Sequence, residues 1–173
     1  MQSSTQFQHT LRYSLYTGGA IVLFFLIIYL FGMVNNPRIP NIALFMFIAG
    51  VYISVRRYRD FESGGTLSFG RAYGTAVLTC VFTGVIWAAY EYVLYKFLSP
   101  GLFVSKIEEM QEIWLNKGFS EELVELQSQF FTPFMLALSY VFSAGIWGAI
   151  LSLPLAALLK RDKNPLSGDA DHE

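Results

Sequence analysis

The residue with the clearest potential for chemistry is Glu91, a carboxylate inside the otherwise uncharged stretch from Ala72 to Tyr95. An ionised side chain at the middle of a bilayer costs about 2.5–3.5 kcal/mol on insertion scales, so an acid kept there is a candidate for proton or ion handling. Lys96 follows little more than one helical turn later. Glu91 could pair with Lys96, with a tyrosine hydroxyl or with interfacial water, and a purely structural role is the alternative. We take Glu91 and Lys96 as a candidate intramembrane polar site.

Residues of the usual catalytic and metal-binding kinds are few and scattered. Two histidines, His9 and His172, lie in the polar ends of the chain, and neither an H-E-x-x-H nor a G-x-S-x-G motif occurs. Cys80 is the single cysteine, so it can form neither a disulfide within the chain nor a zinc cluster. We predict no catalytic, cofactor-binding or metal site and no enzymatic activity. The net charge of -1 also argues against a nucleic-acid partner.

Small residues recur at every fourth position on two of the apolar stretches. This spacing places them along one helix face, where they let two helices approach closely in lipid. The first stripe comprises Ala76, Cys80, Gly84 and Ala88, and the second comprises Ala144, Gly148, Ser152 and Ala156. We expect the two stripes to pack against each other; docking of a partner protein or of a second copy of the chain is the alternative.

A different pattern precedes the last apolar stretch, where six glutamates and three lysines accompany a line of apolar side chains. Phe103, Ile107, Met110 and Trp114 follow one another at intervals of four, three and four residues, which is typical of an amphipathic helix. Their apolar face could rest on the outer leaflet, fold over the helix bundle or receive another protein. Anionic lipid would repel so many glutamates.

The composition predicts the elements that position these residues. Hydrophobic residues make up 54% of the 173 residues and charged residues 14%, about half the charged share of roughly 25% that soluble domains carry. The apolar residues are gathered into stretches long enough to cross a bilayer as helices. We predict an all-α integral membrane bundle, a single domain over 1–163 followed by a disordered cytoplasmic tail, 164–173. Its four transmembrane helices are predicted at about 13–34, 39–55, 72–95 and 133–159, with a helical segment at 99–131 between the last two.

The distribution of positive charge predicts the orientation of the bundle. Eight of the 12 lysines and arginines lie before the first stretch, between the second and third, or after the fourth. Cytoplasmic segments carry the excess of positive charge, so both termini and the 56–71 loop are predicted to be cytoplasmic. The acidic segment at 99–131 is then extracytoplasmic.

Five short stretches carry a resemblance to a known family: Val55–Asp60, Gly64–Ala72, Tyr95–Pro100, Gly118–Glu122 and Leu159–Arg161. The Ser-Phe-Gly-Arg-Ala sequence at 68–72 is the most specific part. Together they resemble DUF4199, a bacterial family of small membrane proteins of unknown function, and the resemblance covers the whole chain. The resemblance implies a four-helix protein of the bacterial inner membrane with an acidic extracytoplasmic segment, and it implies no activity.

Two functional hypotheses follow from these patterns. The first is a non-enzymatic scaffold or accessory protein, embedded in the lipid bilayer, that acts through helix packing and its acidic amphipathic segment. It binds a membrane-protein partner or forms a homo-oligomer. The second is a small, oligomeric transporter or channel component that uses Glu91 together with the hydroxyls of Thr75, Thr79 and Thr83 on the third span.

Overall fold

The computed structural model describes residues 2–34, 36 and 38–161, and 85% of it is helical. These residues form no strand, only an isolated antiparallel bridge between Leu67 and Arg161. The helices are α1 (Gln2–Leu30), α2 (Ile39–Arg57), α3 (Phe69–Val93), α4 (Pro100–Asn116), α5 (Glu121–Ser128) and α6 (Pro133–Leu159). A π-helical turn, Tyr58–Glu62, extends α2, and another, Leu94–Leu98, extends α3.

Four helical stretches among the described residues are long and apolar enough to cross a membrane. They are Thr5–Leu30, Ile39–Glu62, Phe69–Leu98 and Pro133–Leu159. This confirms the predicted all-α architecture with four membrane-length helices. Each of the first three stretches also includes polar residues that lie outside the predicted spans. The predicted disordered tail, 164–173, lies outside the described residues, as do Asn35 and Pro37, which precede α2 in the sequence.

The third helix is the centre of the bundle. It packs along α6 on one side and along α1 on the other, while α2 rests against both α1 and α3. In contrast, α2 and α6 contact each other only slightly. This unequal packing leaves a crevice between α2 and α6.

One end of the bundle is closed by backbone hydrogen bonds, and we call it the bridge end. The Leu67 amide donates to the Arg161 carbonyl oxygen over 2.8 Å, and the Arg161 amide donates to the Leu67 carbonyl oxygen over 2.9 Å. Gly64 and Gly65 adopt φ values of 62° and 80°, which glycine tolerates best and which turn the chain into this pairing. An apolar core of α2, α3 and α6 side chains, including Val55, lies beside the bridge.

The opposite end, which we call the α4 end, carries the two short helices. Pro100 occupies the first turn of α4. Gly118 follows the C-cap of the same helix and turns the chain with a φ of 87°. Ser120 caps α5 by accepting a hydrogen bond from the Leu123 amide over 3.4 Å. Thr132 caps α6 in the same way, which fixes where the last membrane-length helix begins.

Candidate functional site

The two small-residue stripes face each other across the contact between α3 and α6. A Cβ added at Gly84 would overlap the Ala144 side chain, and one added at Gly148 would press against Cys80. The two helices run antiparallel, so Gly84 lies opposite Ala144 and Cys80 lies opposite Gly148. The other stripe residues, Ala76, Ala88, Ser152 and Ala156, are buried as well. The structure therefore brings Cys80, Gly84, Ala144 and Gly148 into close contact across one helix pair, and it buries Ala76, Ala88, Ser152 and Ala156.

Two of the three threonines of α3, Thr75 and Thr79, lie on its other side, against α1 and α2. The third, Thr83, has a buried Oγ1 without a hydrogen-bond partner among the described residues. Thr79 Oγ1 lies 2.9 Å from Ser54 Oγ, and Ser14 Oγ donates to the Thr79 carbonyl oxygen over 3.1 Å. Thr75 Oγ1 accepts a hydrogen bond from Gln6 Nε2 over 3.0 Å. These hydrogen bonds join α1, α2 and α3 in the half of the bundle near the bridge end.

His9 is not part of a polar end, and that sequence prediction was wrong. The residue lies within α1 and is only 8% exposed. Its Nε2 lies 3.0 Å from the Ser54 carbonyl oxygen, its Nδ1 lies 3.8 Å from Glu62 Oε1, and its ring stacks on Tyr13 at 4.4 Å. The helix begins well before Tyr13, and its first turns pack against the end of α2. His172 lies outside the described residues.

Glu91 is buried at the α4 end of α3 with only 6% of its surface exposed. The Tyr95 hydroxyl lies close to the Glu91 carboxylate and to the Tyr140 hydroxyl of α6. The second carboxylate oxygen, Oε2, is buried and has no hydrogen-bond partner among the described residues. A buried, unpaired carboxylate oxygen is costly, so this position requires an explanation.

Lys96 does not join Glu91 in one site. Its Nζ donates to the Tyr92 hydroxyl over 2.7 Å and lies over the rings of Tyr92 and Phe97. A separation of five residues turns the two side chains to different sides of the helix. The ammonium group that lines the same cavity as Glu91 instead belongs to Lys106 of α4. The candidate pair of Glu91 and Lys96 is therefore replaced by Glu91, Tyr95 and Tyr140, with Lys106 nearby.

The predicted apolar face of α4 turns partly toward the bundle. Phe103 and Met110 pack against the cluster around Tyr95 and Leu94, and the Phe103 and Tyr95 rings are 6.0 Å apart. Trp114 instead lies 5.7 Å from the Phe131 ring, and Ile107 is half-buried on the same face. Of the three alternatives for this face, folding over the bundle describes Phe103 and Met110.

A cavity of about 390 Å³ lies between this part of α4 and the bundle, and we call it the Glu91 cavity. Its charged lining residues are Glu91, Lys106 and Glu109, and Lys106 Nζ lies 2.7 Å from Glu109 Oε2. Tyrosines from three helices complete much of the wall: Tyr29, Tyr90, Tyr95 and Tyr140.

The crevice between α2 and α6 is a second space, of about 340 Å³, and we call it the apolar crevice. Its walls include Ala43 and Leu44 of α2 and Ser143 and Trp147 of α6. The two spaces share four lining residues, Phe25, Pro40, Trp87 and Tyr140, so they adjoin each other.

Sequence reasoning gave a tyrosine hydroxyl as one possible partner of Glu91, but it did not identify Tyr95, Tyr140, Lys106 or Glu109 as its neighbours. Tyr95 follows Glu91 by four residues, and that spacing on a helix was a usable signal. The other three residues come from different helices. Their proximity depends on how α4 folds back and how α6 packs, and no pattern within one stretch of sequence contains that information.

The chain is helical, with four membrane-length helices, and this fits a multi-pass membrane protein. It also has a buried carboxylate beside a cavity. The model of the family described as protein of unknown function (DUF4199) matches residues 12–161. The chain therefore belongs to DUF4199, as the sequence resemblance indicated. No curated protein and no protein of solved structure matches it.

Proposed function

We propose that the chain is a non-enzymatic accessory protein of the bacterial inner membrane that binds another membrane protein through α5. The observation that carries this proposal is a set of large apolar side chains on and beside α5 that remain exposed, which we call the α5 surface. The exposed fractions are 51% for Phe119, 55% for Leu123, 56% for Leu126 and 71% for Phe130.

The position of the α5 surface favours a protein partner. It lies between the candidate membrane stretches that end at Leu98 and begin at Pro133, where acyl chains do not cover apolar side chains by default. Contiguous exposed apolar surface outside a membrane span marks interaction sites. The same segment carries six glutamates, which disfavour docking on anionic lipid headgroups.

The small-residue stripes do not supply this partner surface. Gly84 and Gly148 are already covered by side chains of the opposing helix, so their stripes are engaged within the chain. This removes one of the two sequence features that motivated the scaffold hypothesis. The proposal therefore depends on the segment between α3 and α6.

Site-specific photo-crosslinking tests the proposed partner. A photoreactive amino acid placed at Leu126 is expected to yield an adduct with a specific membrane protein in intact cells. The same probe at the neighbouring position Gln127, a polar residue of the same helix, is the matched control. If Leu126 gives only lipid adducts, or gives the same products as Gln127, the partner proposal fails; an adduct of twice the chain mass identifies a homo-oligomer instead.

We also propose that the bridge end faces the cytoplasm and the α4 end faces outward. Arg56, Arg71 and Arg161 belong to the bridge end, in keeping with the excess of positive charge in cytoplasmic segments. Topology reporters fused after the last residue and inserted beside Gly118 test this arrangement. A cytoplasmic signal at the first site and an external signal at the second are expected, and the reverse pattern would overturn it.

A transporter or channel component is the second candidate, and burial of Glu91 beside a cavity favours it. Four helices are few for a solute pathway, so this role requires oligomerisation. Flux into liposomes that contain the purified chain tests the idea, with Glu91→Gln as the diagnostic variant and Glu112→Gln, which changes an exposed acid of α4, as the control. Flux that both variants leave unchanged would exclude a role for Glu91.

A further inference from the structure

The Glu91 cavity and the apolar crevice adjoin each other and form a polar part and an apolar part. Both have Trp87 and Tyr140 in their walls, so an elongated molecule that extends past these two side chains would reach both parts. Gly84 lines the crevice and Glu91 lines the cavity, and their separation of seven positions along α3 corresponds to about 10 Å along the helix axis. A space of this kind matches an amphiphile.

The apolar part is placed where a lipid chain can enter from the bilayer. It lies between α2 and α6, two helices of membrane-spanning length that contact each other only slightly. Its wall is made largely of apolar side chains, among them Ala43, Phe47 and Trp147. An acyl chain can therefore move sideways into the crevice without crossing water.

The polar part fits a positively charged group. Glu91 Oε2 is buried without a hydrogen-bond partner among the described residues, and Glu91 lines the cavity. The aromatic rings of Trp87, Tyr90 and Tyr95 line the same cavity. Carboxylates and aromatic faces both attract ammonium groups, and the attraction is strongest where water is excluded.

The charge of the cavity further restricts which headgroups it can bind. When Glu91, Glu109 and Lys106 are all ionised, the cavity carries one net negative charge. It repels a purely anionic headgroup and accommodates a cationic or zwitterionic one. Lys106 lies on the side of the cavity formed by α4, where it can contact a phosphate that follows the ammonium group.

We propose that the apolar crevice and the Glu91 cavity bind one membrane phospholipid with an ammonium headgroup, with an acyl chain between α2 and α6 and the ammonium at Glu91. The lipid supplies the hydrogen-bond donor that Glu91 Oε2 lacks. This role is separate from protein binding at the α5 surface, because the two sites use different residues and different elements.

Lipid retention measured by native mass spectrometry tests the proposal. The purified full chain in mild detergent is mixed with equal amounts of phosphatidylethanolamine and phosphatidylglycerol. The native chain is expected to retain one phosphatidylethanolamine in preference to phosphatidylglycerol. Glu91→Gln is expected to lower that preference about tenfold, because it removes a charged hydrogen-bond acceptor. Glu112→Gln removes an exposed acid of α4 and is expected to change nothing.

A second variant pair tests the apolar part independently. Ala43→Phe places a ring in the crevice and is expected to lower retention of both lipids, whereas Ile42→Phe alters the exposed neighbouring position and is not. If Ala43→Phe does not fold, Ala43→Leu replaces it. Equal retention of both lipids by the native chain, or identical behaviour of Glu91→Gln and Glu112→Gln, would overturn the proposal.

Discussion

The two halves of α3 differ in whether their buried polar groups have hydrogen-bond partners. In the half near the bridge end, Thr75 and Thr79 are hydrogen-bonded to α1 and α2. In the half near α4, Glu91 reaches Tyr95 through one part of its carboxylate, while Oε2 has no partner among the described residues. Both halves are buried, so exposure to water does not explain the difference.

The comparison separates residues that hold the bundle together from residues that are available to a ligand. A satisfied hydroxyl network has little free capacity to bind anything else. An unsatisfied carboxylate oxygen beside a cavity costs stability unless another molecule completes it. We therefore expect substitutions of the hydroxyl residues in the half of α3 near the bridge end to lower the stability of the fold. Substitution of Glu91 is expected to affect ligand binding without destabilising the fold.

The largest expected effect on stability comes from adding a methyl group where α3 and α6 are in close contact. Gly84→Ala adds a methyl group that overlaps Ala144, so the helices must separate or shift. We expect the free energy of unfolding to fall by about 1–3 kcal/mol, as in other overpacked sites. Unfolding of the detergent-solubilised chain by a denaturing detergent, followed by circular dichroism, measures the change.

Gly19→Ala is the matched control for this substitution. It adds the same methyl group to an exposed position of α1 where, apart from the adjacent residues and the local helix backbone, nothing lies within 4 Å of the new Cβ. Alanine favours helix over glycine by about 0.5–1 kcal/mol, so this variant is expected to be slightly more stable. Equal destabilisation by the two variants would show that close approach of α3 and α6 does not matter.

Glu91→Gln is expected to raise the free energy of unfolding by about 1 kcal/mol in detergent without added phospholipid. The amide keeps an acceptor for Tyr95 but removes a buried charge whose second oxygen is unpaired. Glu112→Gln, on the exposed face of α4, is expected to stay within about 0.5 kcal/mol of the native value. A loss of stability in Glu91→Gln alone would mean that the carboxylate serves the fold.

How much of this arrangement the sequence reveals depends on whether the signal lies within one helix. Charge-free stretches identify the membrane-length helices because lipid excludes charge. The four-residue spacing of small residues, which include Gly84 in one helix and Gly148 in the other, identifies two packing faces. The burial of His9 was missed because polar residues were taken to lie outside the first span. Tyr140 and Lys106 were missed because their distance from Glu91 is set by packing between helices.

A smaller effect tests the bridge half. Ser54 Oγ and Thr79 Oγ1 are 2.9 Å apart, and a double-mutant cycle with Ser54→Ala and Thr79→Val isolates that contact. We expect a coupling free energy of about 0.6 kcal/mol, the average for hydrogen bonds between membrane helices. A coupling of zero would mean that the hydroxyl network contributes nothing beyond helix contact, and the contrast between the two halves of α3 would then have no energetic basis.

The smallest expected effect concerns Lys96, and it distinguishes the site seen in the structure from the one predicted by sequence proximity. Because Lys96 contacts Tyr92 and Phe97, a cycle with Glu91→Gln and Lys96→Gln should be additive within about 0.5 kcal/mol. A parallel cycle with Glu91→Gln and Tyr95→Phe should instead show coupling, since the Tyr95 hydroxyl lies beside the carboxylate. Coupling to Lys96 but not to Tyr95 would mean that Glu91 faces the lysine rather than the cavity. The carboxylate would then have a charged partner within its own helix and no need of a bound ammonium group.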